Sequence, residues 1–371
     1  MPFDVPFIKP RFPTSSAVAA DFDEIVASNW YSNFGPKERQ FSERIESYVG
    51  QGVSAVTVAN ATIGLMALLH TVLGRGDGTR FVVVPSFTFA AGPEAIEWCG
   101  YRPLFIDIDG DTLQPLLSDA LAAVSDHDVA GILLCNSFGI GNPAISEWEH
   151  WAESAGLPLM VDSAAGFGSE YADGRRLGAT GVAEVFSFHA TKPFAIGEGG
   201  AIVTRDASLA ADLRAFQNFG FGQQRQAVGL GLNGKLSELA AAIGLRQFDD
   251  FDASLERRRA VLEGYRSSID PAWSIPEGAS SSSVCFATVV APDAAARDAA
   301  FDRLTSGGIE VRRYYEPAVH RHLHFDGSDR IGGLRVTDDV SSRVLSLPVH
   351  DELSDGVIAR IADLVNGSGA P

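Results

Sequence analysis

A chain of 371 residues with 46% apolar content is long enough for a large buried core, and its length suggests one large and one smaller domain. The net charge of −18 argues against a nucleic-acid partner, because a polyanion would be repelled. No run approaches the ~20 apolar residues of a membrane helix, and the start lacks a basic stretch followed by an apolar one, so no membrane contact and a cytoplasmic location are expected. Cys99, Cys135 and Cys285 lie far apart in apolar contexts without metal-ligand spacing, which reads as reduced core residues and no metal site.

In chain order, residues 36–49 read as an amphipathic helix with Phe41, Ile45, Tyr48 and Val49 on one face and Pro36 suited to the first turn. Apolar runs at 53–59, 81–85, 104–108, 129–135 and 157–162 read as strands, with 115–124 and 144–155 as crossover helices. The alternation predicts an α/β fold, a mostly parallel sheet sandwiched by helices. From Leu236 one long helical stretch runs through Phe248 and Leu255 to Tyr265, a common bridge from a large domain (1–245) to a small C-terminal α+β domain (246–371). The run Glu256-Arg257-Arg258-Arg259 on it reads as a solvated face. Strands at 284–291 and 309–312 and helices at 293–304 and 354–365 complete the small unit.

Four segments carry chemistry. Lys192 stands between an apolar strand and the turn Gly197-Glu198-Gly199-Gly200, five positions after Ser187, an arrangement that presents an amine to an aldehyde cofactor while a hydroxyl meets its phosphate. The alternative is a strand-end lysine facing solvent. Residues 157–162 deliver Asp162 at the C-terminal end of a buried strand, where ligands sit in α/β sheets, and a carboxylate held there can keep the ring nitrogen of pyridoxal phosphate protonated; otherwise Asp162 is a turn or cap residue. Asn60, Ala61 and Thr62 open an apolar helix whose N-terminus and Thr62 hydroxyl suit a phosphate. Phe89, at the end of Pro85-Ser86-Phe87-Thr88-Phe89, can stack on a flat ring or pack in the core.

Taken in order, Asn60-Ala61-Thr62, Pro85 to Phe89, Val161-Asp162-Ser163-Ala164-Ala165, Ser187-Phe188-His189-Ala190-Thr191-Lys192, Gly197 to Gly200 and Gly231 to Glu238 resemble the nucleotide-sugar aminotransferases of the DegT/StrS type, of the fold type I architecture. Trp30 to Pro36 resembles that family's substrate-side loop, and Arg313-Tyr314-Tyr315-Glu316-Pro317 and Leu345 to His350 its C-terminal domain, so the likeness spans nearly the whole chain. The resemblance implies that Lys192 bonds pyridoxal 5′-phosphate, Asp162 holds its pyridinium nitrogen, Ser187 with the Thr62 region binds its phosphate and Phe89 stacks on its ring. It also implies that Asn233 reaches the phosphate of a neighbouring subunit's cofactor, giving a homodimer with shared active sites. The substrates implied are a keto-sugar nucleotide and an amino-acid donor, L-glutamate. A local basic cluster would meet the diphosphate, with Lys37, Arg225, Lys235, Arg312 and Arg313 as candidates.

One position departs from the pattern. Three residues after its aspartate the family usually places glutamine, which touches the cofactor's phenolic oxygen, and this chain has Ala165 there. Alanine donates no hydrogen bond, so either water or another side chain serves that oxygen, or the cofactor is held less firmly. Two other readings are a non-catalytic regulatory relative, which loss of the lysine would favour, and a sugar dehydratase of the same fold, whose relatives carry histidine in place of Lys192.

Overall fold

A computed structural model describes residues 3–222 and 224–368. Seven strands form the central sheet: β1 (Ser54–Val58), β2 (Phe81–Pro85), β3 (Arg102–Ile106), β4 (Val129–Cys135), β5 (Leu159–Asp162), β6 (Ala183–Ser187) and β7 (Gly200–Thr204), in the order β1-β7-β6-β5-β4-β2-β3. The strands β6, β5, β4, β2 and β3 pair in parallel. Only β7 runs antiparallel to both neighbours. The physical reason is the short connection from β6: a parallel partner needs a crossover of about a dozen or more residues, usually a helix, whereas here the chain turns straight back through the Lys192 loop.

Both faces of the sheet are covered, and residues along each strand alternate between two cores. Val82 and Val84 pack with Leu65, Leu68 and Ile96, from the helices Ala61–Leu73 and Ala91–Trp98. Val83, between them, packs on the other side with Phe41, Ile45 and Trp148, from the helices Pro36–Val49 and Ile145–Ala155. The expected face of helix Pro36–Val49 is the one buried.

A third core lies in the C-terminal part, where β8 (Ala287–Val290) pairs antiparallel with β9 (Val344–Leu347) beside the helices Phe251–Ser268, Ala294–Ser306 and Asp355–Asn366. Three expectations are corrected here. Residues 309–312 form no strand: Ile309 bridges to Val5 and Arg312 to Ser346 as isolated pairs. The long helix is two, Glu238–Gln247 and Phe251–Ser268. The break falls at Asp249-Asp250, where aspartate is a poor interior helix residue and the Asp250 carboxylate is drawn to Arg257 at 2.7 Å. The charged run on the second helix is no solvated face either. Arg258 is buried and donates to the carbonyls of Val284 and Val349, both at 3.1 Å, and Arg259 donates to that of Ser282 at 3.2 Å. Among the described residues no helix is long and apolar enough to cross a membrane.

Candidate active site

Sheet register assembles one end of the site. Ser187 on β6 lies opposite Gly200 on β7, which lies opposite Val58 on β1, and the chain leaves β1 directly into Asn60 and the helix Ala61–Leu73. Asn60 caps that helix through its Oδ1, which accepts from the Ile63 N–H at 2.9 Å. Position 200 must be glycine for this approach: a Cβ there would lie 2.6 Å from the Phe186 carbonyl oxygen and 3.1 Å from the Ala61 nitrogen. Ser187 is thus brought to the positive end of a helix dipole, a ready anion site.

At the other end, β5 carries Asp162 between Cys135 of β4 and Val185 of β6. The Asp162 carboxylate is buried, and its Oδ1 accepts from the Ala164 N–H at 3.0 Å. Burial pushes its pKa above the usual carboxylate range, while that N–H and the Lys192 charge pull it back. No lysine or arginine among the described residues forms an ion pair with it, so a cationic group held against it would relieve an under-compensated buried charge. Lys192 sits on the turn between β6 and β7, where its N–H donates to the His189 carbonyl at 2.9 Å.

These groups open into one cavity of about 620 Å³, whose wall includes Asn60, Ala61, Thr62, Phe89, Asp162, Ala165, Ser187 and Lys192. Phe89, 62% exposed, is a platform at the cavity rather than a core residue. The donor set fits pyridoxal phosphate: an amine for the aldehyde, a buried carboxylate for the ring nitrogen, a helix N-terminus with two hydroxyls for the phosphate. Asn233 is not part of this wall. It lies exposed, with its Oδ1 accepting from Lys235 Nζ at 2.7 Å.

The expected basic cluster does not form. Lys37 is buried against Asp21, at 2.7 Å, and Glu24, at 2.5 Å, so it holds helices together. Arg225 is on the 220–234 loop and Lys235 directly follows it. Arg312 and Arg313 line a second cavity of about 420 Å³ that shares Thr88, Phe89, Tyr314 and Tyr315 with the first, but Glu310 engages Arg312 at 2.6 Å and Asp298 engages Arg313 at 3.1 Å.

Several lining residues carried no signal strong enough to single them out as a site. Cys135 and Cys285 are unpaired and border the cavity, and burial with the nearby Asp162 charge pushes the Cys135 thiol up to about 12, leaving it unreactive. His189 and Glu198 flank Lys192 in sequence, 3.6 Å apart in space, and their closeness to the lysine was the available clue. Tyr315 belongs to the C-terminal part, and only folding brings it to Asp162.

Relatives match nearly the whole chain. Over 367 residues the chain is 47% identical to the protein Rv3402c of Mycobacterium tuberculosis, covering 97% of this chain and 89% of that one. A dTDP-4-amino-4,6-dideoxy-D-glucose transaminase of Escherichia coli is 26% identical, with 98% of each chain covered. The crystal structure of DesI in the presence of its TDP-sugar product superposes with a TM-score of 0.89 at 35% identity, covering 98% of this chain and 92% of DesI. The match to the family model runs over residues 14–366, and the chain belongs to the DegT/DnrJ/EryC1/StrS aminotransferase family.

Proposed function

We propose that this protein is a pyridoxal-phosphate-dependent aminotransferase that moves an amino group from an amino acid, L-glutamate, to a keto-sugar nucleotide in the cytoplasm. The observation that carries the reading is the shared cavity of Lys192 and Asp162, with the Ser187 and Thr62 hydroxyls at the helix N-terminus that opens with Ala61. Sugar transaminases among the relatives support the substrate class.

When bound, the cofactor supplies an aldehyde that bonds amines and a ring that takes up the electron pair left when a proton leaves carbon. The chain's own groups do the rest. Lys192 Nζ, as a free amine, takes the proton from the amino-bearing carbon and returns it one position along. Asp162 keeps a proton on the ring nitrogen, and its own burial strengthens that pairing. Ser187, Thr62 and the N–H groups of Ala61 and Thr62 fix the phosphate, which sets the distance between ring and lysine. Phe89 covers a ring face. Incubating the protein and pyridoxal phosphate with a set of keto-sugar nucleotides and glutamate, and reading amino-sugar products by mass spectrometry, tests the reading. Amination of none of them, with an active cofactor site, would remove the nucleotide-sugar assignment.

A further inference from the structure

Ala165 lines the cavity with Asp162 and Lys192, yet its methyl group offers nothing to an anionic oxygen. The polar groups near it are largely committed elsewhere. The Asn136 amide donates to Ser163 Oγ at 2.9 Å and to the Tyr171 hydroxyl at 3.0 Å, and its carbonyl accepts from the Asn142 N–H at 3.0 Å. Ser283 Oγ donates to the Ala165 carbonyl at 2.7 Å, and the Cys285 thiol to the Thr191 carbonyl at 3.3 Å. His189 Nδ1 accepts from the Thr191 N–H at 3.2 Å.

Tyr315 differs from all of these. It borders the same cavity, and its hydroxyl has no hydrogen-bond partner among the described residues. Its ring is held in place, stacked on Phe138 at 5.3 Å with 14° between planes and edge-on to Phe87 at 5.6 Å. Its backbone is held too, since Ser341 Oγ donates to its carbonyl at 2.5 Å. A rigid, unpartnered hydroxyl on a residue that borders a ligand cavity is a candidate donor to what that cavity holds.

Resting on the pyridoxal phosphate reading above, we propose that the Tyr315 hydroxyl donates the hydrogen bond to the cofactor's phenolic oxygen, in the role the family gives to glutamine at position 165. Burial and the neighbouring Cys135, Asp162 and Cys285 raise the pKa of this phenol well above its ordinary value, so it remains a donor throughout the neutral range.

The full chain, stripped of cofactor and titrated with pyridoxal 5′-phosphate while the visible band is followed across pH, provides the test. Tyr315→Phe keeps the ring and its stacking, and should bind the cofactor more weakly, by roughly tenfold or more, for the loss of one hydrogen bond to a charged oxygen. A donor stabilises the anionic oxygen and so eases proton loss; without it the pH midpoint of the band should rise by about half a unit or more. Adding Ala165→Gln to Tyr315→Phe should bring both quantities back toward wild type. Ala165→Gln alone should bind no tighter than wild type, because the place is taken. An unmoved midpoint in Tyr315→Phe, or tighter binding by Ala165→Gln alone, overturns the assignment. A wild-type chain that develops no band at all with the cofactor overturns the proposed function itself, so the two failures are distinguishable.

Discussion

At the level of single residues the proposed chemistry rests on two groups that approach the cavity from different directions: Lys192 from the β6–β7 turn and Asp162 from the end of β5. They should respond differently to removal. Lys192→Ala deletes the group that moves the proton, so turnover and the bound cofactor's visible band should both vanish, while the Ser187 and Thr62 end still binds the phosphate. Substantial residual turnover in that variant would defeat the enzyme reading. Asp162→Asn keeps the shape and the bond from the Ala164 N–H but removes the charge that keeps the ring nitrogen protonated. Turnover should fall at least ~100-fold, the scale of losing one strong electrostatic contact to the transition state, with a smaller loss of cofactor binding. Near-normal turnover would mean that another group pairs with the nitrogen.

At the level of elements, legibility followed local pattern. Strands β2 and β4 fall where the apolar runs lay, because a strand buried on both faces writes itself as a continuous apolar segment. Strand β7 was less visible, since it begins at the glycine turn that drew attention as a cofactor feature. The Phe251–Ser268 helix shows the opposite failure: charge alone suggested solvent, and only tertiary packing buries Arg258. Its guanidinium answers two carbonyls from separate segments, at Val284 and Val349, and lies 3.6 Å from Asp351. Arg258→Leu would leave those carbonyls unpaired and should destabilise the fold by about 3 kcal/mol in urea or thermal unfolding. Glu256→Ala, on the exposed side of the same helix, should stay within about 0.5 kcal/mol of wild type. Equal effects would restore the solvated-face reading.

For the molecule as a whole, the meeting of Lys192, Asp162, Ser187 and Asn60 to Thr62 at one cavity was legible because each occupies a strand end, a turn or a helix start that local sequence defines. Tyr314, Tyr315, Arg312 and Arg313 were legible only as a C-terminal segment and as candidate cations, because they reach these cavities from the far end of the chain. Asn233 raises the same question one level up. It stands outside its own chain's cavity, on a loop that also exposes Val228 and Leu230, 77% and 57% accessible, which is costly surface for a monomer. A second copy covering that loop would bury those side chains and carry Asn233 to the neighbouring phosphate. Asn233→Ala should then weaken pyridoxal phosphate binding with Lys192 untouched. Mixed with Lys192→Ala subunits, it should regain activity: in a heterodimer, the Lys192 of one subunit meets the Asn233 of the other and completes one of the two sites. Heterodimers shown to have formed, yet inactive, would mean that each subunit builds its pocket alone.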